Sequence, residues 1–130
     1  MITGFQISER LFTILNISAV TSLLTGRIYP DKLPKDPAVQ QLKNIAIVPL
    51  VNMIDYVTDA VVNINIYAQD YDDGTPNAGV LQPIADQVVL ALQSYSPTSD
   101  YFSIKIISSG LVTDENGQKF LNIRIEVSTT

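Results

Sequence analysis

Two periods of apolar residues alternate along the chain. Between residues 3 and 15 the spacing is helical: Phe5, Leu11, Phe12, Ile14 and Leu15 fall near one face, flanked by Ile7 and the Glu9–Arg10 pair. Two starts compete for this helix. Thr3-Gly4-Phe5-Gln6 has capping-box spacing, with Ile2 and Ile7 placed to staple it; Ser8 is the alternative cap, with Ile7 stapling Phe12. Asn16-Ile17-Ser18 interrupts the pattern. Ser18 then caps a short second helix over 19–24, and Gly26 offers a left-handed stop just past its end. The period next shortens to two. Val48 to Asp55 reads as a strand, and Pro49 confines its start to an edge or to the first strand residue. Over 61–69, Val62, Ile64, Ile66 and Ala68 face one side while Asn63, Asn65 and Tyr67 face the other, as in a half-buried antiparallel strand. Residues 103–113 and 119–127 form a hairpin pair. Asn116-Gly117 supplies the positive φ that a type I′ turn needs. Between the strand pairs a long helix spans 77–94. Val80, Ile84, Val88 and Leu92 repeat every fourth position, with Leu81 and Ala85 beside them. Thr75-Pro76 suits its entry. Pro83 crowds the carbonyl of Gly79, so the helix either kinks there or begins there.

This order, α-β-β-α-β-β, predicts an α+β fold: an antiparallel sheet of about four strands with two main helices packed on one face, the other face polar and exposed. A chain of 130 residues suits a single domain over 1–130. A 46% hydrophobic, 16% charged composition is that of a globular chain.

Composition narrows the chemistry. The chain has neither cysteine nor histidine, which removes disulfides, thiolate metal sites and the usual proton shuttle near neutral pH. The longest apolar run, Ile45 to Val51, falls far short of the roughly 20 residues of a membrane helix. The start, MITGFQISER, lacks signal-peptide character. A net charge of −5 argues against nucleic-acid binding. The charges are unevenly placed. Residues 27–43 hold Arg27, Lys32, Lys35 and Lys43, half of the basic side chains. Residues 44–104 hold none, yet carry Asp55, Asp59, Asp70, Asp72 and Asp73. The basic segment, stiffened by Pro30, Pro34 and Pro37, reads as an extended arm, longer than a compact domain ordinarily leaves without a role. Its counterpart is the acidic loop 69–76, and a hairpin tip lies at 114–118.

QDYDDGTPNAG, residues 69–79, superficially resembles a calcium loop. Counted from Asp70, however, glycine comes one place early and the twelfth residue is Leu81, not Glu. An acidic turn leading into a helix N-terminus explains it better. Asp72 and Asp73 are neighbours on a wet loop and lack the environment that splits a catalytic carboxylate pair. No phosphate loop, nucleophile elbow or metal-binding helix motif appears elsewhere. Tyr29, Tyr56, Tyr67, Tyr71, Tyr95 and Tyr101 sit mostly at element ends, as edge packing or as interface anchors.

GRIYP at 26–30 after a short helix pair, VPLVNM at 48–53, VNINIYA at 62–68 and ALQSY at 91–95 together resemble the tail-completion proteins of long-tailed phages, also called tail terminators or head–tail joining proteins. The resemblance covers residues 3–95, and the C-terminal strand pair matches in order only. It implies an α+β fold and a structural role without catalysis or cofactor. Subunits form a ring, usually a hexamer, that caps the finished tail tube and supplies the surface the head joins. The implied partners are further copies of the chain, the tail tube protein and the head–tail connector protein. The implied location is the virion tail, after synthesis in the bacterial cytoplasm. The DYDDG loop and the Asn-Gly hairpin depart from the family pattern. On this reading the arm from Arg27 through Tyr29, Lys32 and Lys35 to Lys43 lies on the acidic 55–73 region of the next subunit, a head-to-tail contact. The competing readings are another tail subunit, of tube or baseplate, and a small non-catalytic adaptor domain.

Overall fold

The computed structural model describes residues 1–96, 102–114 and 117–129. Its elements run β1 (Ile2–Thr3), α1 (Gly4–Leu15), α2 (Ser18–Thr21), β2 (Ile28–Tyr29), α3 (Pro37–Gln40), β3 (Asn44–Pro49), β4 (Tyr56–Val57), β5 (Asp59–Tyr67), α4 (Ala78–Ser94), β6 (Phe102–Thr113) and β7 (Lys119–Thr129). The α+β class is as the periodicity implies. The sheet is larger than that pattern suggests: five strands in the order β2-β3-β5-β7-β6, with β2 parallel to β3 and the rest antiparallel. A separate two-stranded ribbon pairs β1 with β4. Elements of two residues carry no period, which is why β1, β2 and β4 escape the sequence pattern.

Thr3 caps α1 in a complete capping box, accepting from the Gln6 N–H while the Gln6 side chain accepts from the Thr3 N–H, so the earlier of the two starts is the real one. The buried face of α1 is Ile7, Leu11 and Leu15 with Ser8. Phe5, assigned to that face by spacing, is instead 59% exposed. Helix α2 is shorter than the expected 19–24. Its cap position is Ile17, and Ser18 is its first helical residue. Helix α4 starts at Ala78 behind Asn77, leaving Pro76 outside, and runs through Pro83. Pro83 lies on the exposed side, while Leu81, Ile84, Ala85, Val88 and Leu92 face inward.

The strand expected at 48–55 lies earlier, at 44–49. Its residues are buried on both faces, so it shows no alternation to read. The chain turns directly after it, with Asp55 N–H donating to the Asn52 carbonyl. Ile45 N–H donates outward to Arg27, on the β2 side of the strand. Two residues at a time along the strand, Pro49 faces that same side, beyond the end of β2, where its missing N–H costs no ladder bond. Strand β5 is as its alternation implies: Val62, Ile64, Ile66 and Ala68 are buried. Across it, Ile64 pairs with Ile47 and Ile123, and Val62 with Ile125, forming one continuous apolar face under α1 and α4. Each of these fully buried side chains contributes roughly 1.5–3 kcal/mol.

The opposite face is polar. Asn122 donates to Asn65 at 2.8 Å and Arg124 to Asn63 at 3.1 Å, and Tyr67 stacks on Phe120 at 5.0 Å. The β6–β7 hairpin closes between Asp114 and Gln118, with Gly117 at φ +83°. The Asn116 half of the expected Asn-Gly turn lies outside the described residues.

Candidate interaction surfaces

The arm is folded, not extended. It begins as β2 and contains α3, which Asp36 caps by accepting the Ala38 N–H at 3.0 Å. Both its ends are clipped by one side chain. Asn44, fully buried, accepts the Arg27 N–H at 3.0 Å and donates to the carbonyls of Val39 at 2.8 Å and Leu42 at 3.2 Å. Gly26 is needed for this clip. It is not the left-handed stop its position suggests, since the positive-φ glycines are Gly74 and Gly117. A Cβ at position 26 would overlap Asn44 Oδ1. Of the basic residues, Lys32 and Lys35 are exposed and Lys43 is half-buried, its N–H donating to Thr25 Oγ1 at 2.8 Å. The Arg27 guanidinium lies over the Tyr29 ring at 5.0 Å.

The acidic residues do not form one region. Strand β5 separates them: Asp55 and Asp59 stand at its start, and Asp70, Asp72 and Asp73 beyond its end. Its nine residues span about 27 Å. Because β3 is antiparallel to β5, pairing Asn44 with Tyr67, the arm's clipped root shares the end of the sheet that carries the 70–73 loop. Gln118 on the hairpin donates to the Gln40 carbonyl at 3.3 Å, tying arm and hairpin tip together there.

The 69–76 loop is held by its own bonds. Tyr71 N–H donates to Thr75, Gly74 N–H to Tyr71, and both the N–H and hydroxyl of Thr75 to Asp73 Oδ1, at 3.0 and 2.6 Å. The Thr75 bonds hold the Asp73 carboxyl below the usual range. Lys119 donates through Nζ to the Gly74 carbonyl at 2.6 Å and through its N–H to Asp70 at 3.3 Å. Among the described residues no three carboxylates gather as a metal cluster.

Apolar exposure is concentrated where the sequence did not point. Met1, Phe5, Ile54 and Tyr56 lie on or beside the β1–β4 ribbon and are all more than half exposed. Next to them a groove of about 380 Å³, lined by Phe5, Phe12, Met53, Pro30 and Arg27, runs between α1 and the arm. Ser8 lies against this groove, 2% exposed, and its hydroxyl has no hydrogen-bond partner. Of the tyrosines, Tyr56 and Tyr71 are exposed, Tyr67 packs against Phe120, Tyr95 meets Phe102 edge to face, and Tyr101 lies outside the described residues. Burial raises the Tyr67 phenol above its ordinary value.

No protein-family model, curated protein or solved structure matches the chain.

Proposed function

We propose that the chain is a ring-forming structural subunit of a phage tail, of the tail-completion type. The observation that carries this reading is the division of the surface. The arm carries the exposed Lys32 and Lys35, exposed carboxylates stand at the start of β5 (Asp55, Asp59) and beyond its end (Asp72, Asp73), and exposed apolar side chains cluster about the β1–β4 ribbon. A head-to-tail contact needs two different surfaces on each subunit. Lys119 already reaches into the acidic loop at Asp70–Asp73, which leaves the exposed Asp55 and Asp59 as the better acceptors for a neighbour's arm. The resemblance of GRIYP, VPLVNM and VNINIYA to tail-completion proteins supplies the biological setting.

On this reading the contact is electrostatic in register and apolar in affinity. The subunit caps a tail tube and meets the connector of the head. Its net charge of −5 suits a lumen through which DNA passes without adhering. The paired substitution Lys32→Glu with Lys35→Glu tests the contact. Ring formation is expected to weaken sharply, and to weaken less at high salt, where the wild-type contact is itself screened. Unchanged assembly of the double variant removes the arm from the interface. Tight binding of the wild-type chain to duplex DNA at physiological salt contradicts the lumen.

A further inference from the structure

Strand β6 is the far edge of the sheet: it pairs with β7 alone. It is twelve residues long, and no strand among the described residues covers its outer side. From Ser108 to Thr113 every residue is exposed, and Ile107, Leu111 and Val112 are 49%, 53% and 42% exposed. Edge strands are ordinarily blunted by charge, proline or a bulge. Here those devices sit in the first half, as Lys105 and the register shift between Ile106 and Ser108. The second half, Ser-Ser-Gly-Leu-Val-Thr, has none. The opposite margin is closed to pairing: β2 is two residues long, and Pro49 beyond it has no N–H to offer.

We propose that the second half of β6 is a strand-pairing site for a second copy of this chain, the two β6 strands running antiparallel about a two-fold axis near Gly110. The sequence of the strand is self-complementary in that arrangement. Discounting the bulged Ile107, Lys105 and Asp114 lie equally far from Gly110 on either side. Each Lys105 therefore falls opposite Asp114 of the other copy, with a neutral strip between. Two chains of net charge −5 meet where neither carries charge, and opposite charges close both ends. Six paired residues bury little area, so this is a weak contact that concentration or a covalent trap reveals. It uses the sheet margin opposite β2 and does not rest on the tail-completion reading.

The chain has no cysteine, so a single one reports cleanly. A Cβ at Gly110 meets nothing within 4 Å, so Gly110→Cys fits the fold. Opposed residues of an antiparallel pair have Cα atoms about 4.5–5.5 Å apart, within disulfide reach. Under mild oxidation, Gly110→Cys is expected to form disulfide dimers at least roughly tenfold faster than Ser18→Cys, an exposed control on α2. Adding Val112→Lys is expected to bring the rate down to the control. Equal rates for the two single-cysteine chains overturn the pairing, even where mass measurement finds rings. So does fast cross-linking that Val112→Lys leaves unchanged. As a check without cysteine, the weak self-association seen by sedimentation is expected to fall at least roughly tenfold in Val112→Lys; unaltered association also overturns it.

Discussion

Replacing Asn44 by alanine tests how the basic margin is built. The side chain is fully buried, and it satisfies one N–H and two carbonyls on three different parts of the chain: Arg27, Val39 and Leu42. Removing it strands those groups. At about 1 kcal/mol for each neutral hydrogen bond, the loss comes to roughly 3 kcal/mol, less whatever water recovers as the arm loosens. Gly26→Ala attacks the same clip from the other side, because the added Cβ overlaps Asn44 Oδ1 and must displace the carboxamide. The two changes are therefore coupled. Urea unfolding of both single variants and the double is expected to give a non-additive cycle, the cost of Gly26→Ala falling by at least about 1 kcal/mol once Asn44 is gone. Trypsin gives the local readout. Lys32 and Lys35 lie in the segment that the clip closes, and cleavage after them is expected to accelerate in both single variants more than global instability explains. Additive costs, or an unchanged cleavage pattern in Asn44→Ala, refute the clip.

Three further outcomes follow from single groups. Ser8→Ala removes a buried hydroxyl without a partner from a helix interior, and is expected to stabilise the chain by up to about 1 kcal/mol in urea unfolding; a loss of stability means that the hydroxyl is bonded in solution. The Tyr67 phenol is raised by burial, so the folded state favours its neutral form. That stabilisation is fully present below the ordinary phenol value and is lost as pH climbs through the folded one, so Tyr67→Phe is expected to flatten the alkaline limb of a stability–pH curve. The Asp73 carboxyl is lowered chiefly by Thr75. Its contribution is present above the ordinary carboxylate value and is lost as pH falls through the folded one, and Thr75→Ala is expected to move the Asp73 titration, followed by NMR, back toward that ordinary value.

The parts of the fold legible in the sequence are those with a period or a local partner. Val62, Ile64 and Ile66 alternate because one face of β5 is buried, and Thr3 and Gln6 stand three residues apart because each bonds the other's backbone. Strand β3 is buried on both faces, so its pattern is a plain apolar run and its limits slide. Gly26 is recognisably special, but its reason is a side chain eighteen positions on, and no local rule reaches that far. What the sequence conceals is direction: an antiparallel β3–β5 pair brings Lys43 to the Asp70 end and sends Asp59 to the other. The apolar cluster at the β1–β4 ribbon was hidden because spacing puts Phe5 on the apolar face of α1 and Ile54 inside the expected 48–55 strand, whereas both are exposed.

The most direct test of the tail-completion reading is the mass of the assembled wild-type chain, taken by native mass spectrometry across a concentration series at low and high salt, and with purified tail tubes present. The expected result is one discrete ring, formed alone or on the tube, whose stability falls as salt rises. An open-ended series of stacked species points to a tube subunit instead, and a chain that stays monomeric and ignores the tubes contradicts the ring altogether.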